Sequence, residues 1–167
     1  MKNIVLVGFM GSGKSAVGKR LSRQLKMKFV STDDIIEERE KRPIREIFEK
    51  CGEPYFRNIE KEIVKEVSNF DNVVIAAGGG VVLDGENMSN LRKKGIIICL
   101  TATPEIIYER TKSDKHRPLL NVVNPVARIR QLLDYRAPFY AKADYQIDTS
   151  NKSIEEVAEE IIKIINA

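Results

Sequence analysis

The sequence holds no tryptophan, a single histidine (His116) and two cysteines (Cys51 and Cys99), and nowhere an apolar run approaching the roughly 20 residues a membrane-spanning helix needs. Two cysteines without C-x-x-C spacing exclude a disulfide scaffold and a zinc ribbon, and read as inert packing thiols. A lone histidine in a charged stretch offers no metal cluster and no catalytic dyad, so it is left out of the chemistry. The amino terminus passes directly into a strand pattern rather than a long h-region, and a soluble, cytoplasmic protein without membrane partners is expected. The net charge of +4 comes from 28 basic residues interleaved with 24 acidic ones, with no basic stripe and no clustered aromatics. That pattern argues against nucleic acid as a partner and fits small anionic ligands.

At 167 residues and 43% hydrophobic content the chain is the size of one domain, read here as 1–167, able to bury a core without staples. Apolar runs alternate with amphipathic stretches, the pattern of an α/β protein with a parallel sheet and helices on both faces. Strands are expected at Ile4–Val7, Lys28–Val30, Val73–Ala77, Ile96–Leu100 and Tyr145–Asp148. Pro43 marks a helix start, Gly52 a stop and Pro54 the opening of another helix, along which Phe56, Ile59, Ile63 and Val67 recur at helical spacing. The last helix opens on the capping box Ser153-x-x-Glu156 and carries Ile154, Val157, Ile161 and Ile165 as its core stripe. No leftover apolar patch stands out, so a monomer is expected.

The most informative run is Gly8-Phe9-Met10-Gly11-Ser12-Gly13-Lys14-Ser15, which completes G-x-x-x-x-G-K-[ST] directly after the first strand and before a helix. This is the context a P-loop requires. Glycines let the backbone turn sharply and aim several N–H groups at one point, where a polyphosphate is cradled. Gly11, Ser12, Gly13, Lys14, Ser15 and Ala16 are thus the expected ATP-binding run, with Lys14 reaching the β- and γ-phosphates and the Ser15 hydroxyl supplying a ligand to Mg²⁺. After the second strand comes Ser31-Thr32-Asp33-Asp34. A carboxylate there can hold an acceptor hydroxyl in line with the γ-phosphate, and capping of the following helix accounts equally well for one of the two acids. The third strand runs into Gly78-Gly79-Gly80, more glycine than a turn needs, which points to close approach of a ligand.

Taken with Phe56-Arg57-x-x-Glu60, Arg117-Pro118-Leu119-Leu120 and Tyr135-Arg136-x-Pro138-x-Tyr140, these motifs resemble the shikimate kinases in order and spacing over essentially the whole chain. The resemblance implies transfer of the ATP γ-phosphate to the 3-hydroxyl of shikimate, on the way to chorismate and aromatic amino acids. It also implies a three-layer P-loop kinase fold, with a five-stranded parallel sheet ordered 2-3-1-4-5, a substrate-binding helical region near 32–60 and a lid near 112–124. Residue by residue, it assigns Asp33 to orienting or deprotonating the attacking hydroxyl, Arg57 and Arg136 to gripping the substrate carboxylate, and Gly78, Gly79 and Gly80 to backbone contact with the substrate. Phe48 and Phe56 are candidates to line the ring. Arg117 would close onto the phosphates, and Arg110 would pack over the adenine beside the loop Asp148-Thr149-Ser150-Asn151. Lys14, Asp33 and Arg117 are the catalytic set.

One departure is Ser31, which stands where the family usually carries the first acid of Asp-x-Asp; Ser31 brings no charge to the magnesium shell, and Asp34, its side chain on the opposite strand face, is not expected to compensate. A gluconate kinase-like enzyme, a non-catalytic nucleotide or shikimate sensor and a nucleic-acid module are the other readings.

Overall fold

The computed structural model describes residues 1–113 and 122–167. Five strands, β1 (Asn3–Val7), β2 (Lys28–Ser31), β3 (Val73–Ala76), β4 (Gly95–Thr101) and β5 (Tyr145–Asp148), form one parallel sheet ordered β2-β3-β1-β4-β5. Seven α-helices are described: α1 (Lys14–Leu25), α2 (Thr32–Glu40), α3 (Ile44–Val67), α4 (Gly85–Lys94), α5 (Pro104–Thr111), α6 (Pro125–Tyr140) and α7 (Ile154–Ile165). A short 3₁₀ turn, Val81–Leu83, precedes α4.

Side-chain alternation divides the buried residues into two layers. Val5, Val7, Ile75, Ile97 and Cys99 face α2, α3 and α4. Ile4, Leu6, Val74, Ile98 and Leu100 face α1 and α7. Each fully buried aliphatic side chain contributes about 1.5–3 kcal/mol, so both faces must be covered, and strands apolar on both sides are the result. A third, smaller cluster of Phe9, Ile107 and Ile129 ties the loop after β1 to α5 and α6.

Local signals explain most boundaries. Pro43 caps α3, and Gly52 at φ 83° breaks it into two helical segments, the second opening at Pro54, as its residue types require. The Ser153–Glu156 capping box is present in both directions. Two expectations need correction. Ile154 is 43% exposed, so the stripe is Val157, Ala158 and Ile161, with Ile165 partly buried against the same cluster. Asp33 and Asp34 lie in the first turn of α2 rather than on a strand, and the cap is Ser31, whose hydroxyl accepts from the Asp34 N–H at 3.3 Å. The opposite-faces argument for Asp34 therefore falls, although Asp34 is exposed and points away from the site for a helical reason instead.

Candidate active site

Register places Gly8, Ser31, Ala77 and Thr101 at the same edge of the sheet, the carboxyl ends of its strands, where ligands of open α/β sheets bind. The phosphate side is made of backbone. Gly13, at φ 99°, is the N-cap of α1, a left-handed conformation that turns the loop into the helix and leaves the first-turn N–H groups facing outward. Lys14 Nζ donates to the carbonyls of Gly8 at 2.6 Å and Phe9 at 3.2 Å, so its ammonium lies across the mouth of the loop. Ser15 follows in the first turn of α1.

The acceptor side is made of charged side chains brought against the glycine turn. A methyl group on Gly78 would lie 2.6 Å from Asp33 Oδ1, one on Gly79 3.3 Å from Arg136 Nη1, and one on Gly80 would collide with the Arg57 guanidinium. Each glycine thus accommodates one of the three groups that the sequence singles out. The turn itself is anchored by Thr32, fully buried, whose hydroxyl accepts from the Gly78 N–H at 2.9 Å. Arg57 donates to Glu60 at 2.8 Å, and the Glu60 side chain is only 2% exposed. Arg57 thus pairs with a buried carboxylate at Glu60 as well as, at 3.5 Å, with the exposed Glu53. Arg136 lies 5.4 Å over the Phe9 ring.

These charges form one electrostatic group. Burial pushes the Asp33 carboxyl above the ordinary carboxylate range; the nearby Lys14 and Arg57 pull the other way, and Glu37 and Asp34 add to the rise. Burial likewise raises Glu60, against the opposing charge and hydrogen bond of Arg57 and the charge of Arg136. A raised carboxyl beside the Lys14 ammonium is a basic group suited to taking an alcohol proton.

Arg110 donates to the Gly11 carbonyl at 3.1 Å and to the hydroxyl and carbonyl of Thr149 at 3.0 and 2.9 Å, pinning the P-loop to the loop after β5. Phe56 is core, 4% exposed and 4.7 Å from the Phe48 ring, so of the two candidate ring-lining residues Phe48 alone keeps an open edge. Arg117, His116 and most of the expected lid at 112–124 lie outside the described residues. Cys99 is buried, its thiol pushed up to about 12, and is inert as expected. Sequence reasoning assigned no role to Thr32, Glu60 or Tyr140. Glu60 and Tyr140 stand inside the quoted motifs, three residues after Arg57 and four after Arg136, on the same helix faces, which was the available signal.

The family model for shikimate kinase matches residues 10–166. A shikimate kinase of Caldanaerobacter subterraneus subsp. tengcongensis is 53% identical over 98% of this chain and 95% of its own. One of Thermoanaerobacter pseudethanolicus is 52% identical over the same shares. Among solved structures, the shikimate kinase of Acinetobacter baumannii in complex with shikimate superimposes with a TM-score of 0.95 at 38% identity, covering 99% of this chain and 93% of that one.

Proposed function

This chain belongs to the shikimate kinase family, and we propose from that premise how its own residues divide the work of phosphorylating the shikimate 3-hydroxyl with ATP. The reaction is an alcohol phosphorylation. The 3-hydroxyl oxygen forms a bond to the γ-phosphorus, the bond from that phosphorus to the β-phosphate bridging oxygen breaks, ADP leaves, and the hydroxyl proton passes to Asp33.

Arg57 and Arg136 grip the shikimate carboxylate, since planar guanidinium groups hold a carboxylate bidentately and both sit against the glycine turn. Gly78, Gly79 and Gly80 supply backbone contact. Asp33 orients the attacking hydroxyl, and its burial raises its basicity. Gly11–Ala16 cradle the phosphates, Lys14 neutralises charge on the transferring group, and Arg110 lies against the adenine. Arg117 adds positive charge at the γ-phosphate. The observation that carries this reading is the one-to-one approach of Asp33, Arg136 and Arg57 to three consecutive glycines.

Among the described residues no group of three or more His, Cys, Asp or Glu side chains is placed to hold a metal. The single Ser15 hydroxyl in the first turn of α1 fits Mg²⁺, which accepts one protein hydroxyl and takes its remaining ligands from phosphate oxygens and water. Ser15 would hold it, and the ion when bound supplies charge neutralisation between the β- and γ-phosphates. No described helix is long and apolar enough to cross a membrane. A monomeric, cytoplasmic, single-domain protein is the accompanying reading, supported by one sheet serving both halves of the site and by two free cysteines.

The test is ADP release with MgATP in the presence and absence of shikimate, with gluconate and mononucleotides as controls, and light scattering for mass. Turnover with shikimate alone is expected. Binding of both substrates without turnover, or turnover with another acceptor, overturns the assignment.

A further inference from the structure

Tyr140 ends α6 one helical turn after Arg136 and is 5% exposed, yet the roles assigned above make no use of its hydroxyl. That hydroxyl donates to the Gly79 carbonyl at 3.0 Å, across 61 residues of sequence. The Arg136 guanidinium, one helical turn earlier, acts on the same hydroxyl as a nearby positive charge, against the burial that pushes the phenol up to about 12. The phenol therefore stays neutral and keeps its proton for Gly79 throughout the working pH range.

Gly79 is itself a junction. Its Cα side lies 3.3 Å from Arg136 Nη1 and within 3.7–3.8 Å of the Gly8 carbonyl and the Met10 N–H, measured from where a methyl group would stand. The glycine turn thus touches a substrate-binding arginine on one side and the P-loop backbone on the other. Thr32 fixes the turn at Gly78, and the Tyr140 hydroxyl holds the next carbonyl, that of Gly79. Tyr140 is thus bonded to the Gly79 carbonyl, and Arg136 lies against the other side of the same glycine, so the residue Tyr140 holds and the residue one turn before it are two of the groups that hold substrate.

We propose that Tyr140 is a positioning residue for shikimate binding, its hydroxyl holding the Gly79 carbonyl and the Arg136 guanidinium in register with each other. This rests on the reading of Arg136 and Gly79 as shikimate contacts. Arg136 projects from a helix and has long rotamer freedom, so an anchor at its own helix turn limits the orientations it samples before substrate arrives. Removing the hydroxyl leaves the aromatic ring packed in the core and releases only the register.

The experiment compares the full-length wild type, Tyr140→Phe, Arg136→Ala and the double variant in steady-state turnover, with melting midpoints measured alongside. Tyr140→Phe should raise the shikimate KM about three- to tenfold, the scale of one net hydrogen bond, and leave the ATP KM within about twofold. In the Arg136→Ala background the same substitution should change the shikimate KM by less than about twofold, because the group it positions is gone. A lower melting midpoint with an unchanged shikimate KM would make the contact structural only and overturn the proposal. So would an equal rise in both KM values, or an undiminished effect in the Arg136→Ala background. Wild-type enzyme showing no shikimate-dependent ADP release would instead remove the functional reading itself, and this proposal with it.

Discussion

In the proposed site one contiguous run, Gly8–Ser15, builds the phosphate side, whereas the acceptor side collects Asp33 from α2, Arg57 from α3, Gly78–Gly80 from the turn after β3 and Arg136 from α6. The materials differ as well. Backbone N–H groups at a helix start are fixed dipoles that need no counter-charge of their own. Buried carboxylates do need one, which is why the half-buried Arg57 accompanies Glu60, and burial still leaves Asp33 and Glu60 above their ordinary pKa range. The phosphate side is preorganised by covalent geometry. The acceptor side is preorganised by balanced, desolvated charge, and such charge is held at some expense of stability.

Asp33→Asn probes that difference most strongly. Loss of the proton acceptor should lower kcat by about 10²–10⁴-fold, the usual worth of a positioned base. Stability should move the other way. A carboxyl whose folded pKa lies above its unfolded value binds its proton more tightly when folded, so its penalty grows as pH rises from the ordinary 3.8 through the raised value and is full above it. The Asn variant should therefore melt above the wild type at pH 8, with the gap closing as pH falls toward 4. Calorimetry at several pH values checks this, and a gap independent of pH would mean that desolvated charge is not what the acceptor side stores. Lys14→Met tests the other side. It should lower kcat by about 10²–10³-fold, the scale of one electrostatic stabiliser of developing charge, while shikimate affinity measured by titration without nucleotide stays within a few-fold. Equal loss of shikimate affinity would show that the two halves are not separable.

The same contrast explains what was legible beforehand. The P-loop is a local device, so its residues, its strand and its helix could be read from adjacent positions, and the sheet followed from apolar runs of strand length. The strand-end carboxylate at Asp33 and the run Gly78–Gly80 stood out from their positions, but Arg57 and Arg136, and the meeting of all of them, came by resemblance, since spacing alone gives no reason for groups from four elements to meet. What stayed hidden were the partners. Thr32 looks like an ordinary helix-start threonine, and its bond to Gly78 spans 46 residues. Glu60 reads as one more surface acid until its burial is seen. Pairing across elements depends on tertiary packing, which periodicity does not encode.

Gly80→Ala sharpens the comparison at a smaller scale. Gly80 has an ordinary φ of −95°, so alanine suits the backbone, and the nearest atoms its methyl group would meet are those of the Arg57 guanidinium. The shikimate KM should rise about tenfold, in keeping with the cost of overpacking a tight contact, with the ATP KM unchanged. A parallel rise in the ATP KM would place Gly80 on the phosphate side.

Ser31 is expected to give the smallest effect, because it stands between the two halves. Its hydroxyl caps α2, and aspartate caps a helix at least as well, so Ser31→Asp should keep the fold and the position of Asp33. The new carboxylate would add a charge near the phosphate-bound Mg²⁺ that the serine does not supply, and the Mg²⁺ concentration for half-maximal rate should fall a few-fold. The same charge stands near Asp33 and would raise that carboxyl further, so kcat in saturating Mg²⁺ should shift its pH dependence upward. An unchanged Mg²⁺ requirement with the shifted pH profile would mean that the residue at 31 speaks only to the acceptor side, leaving the metal to Ser15 and the phosphates.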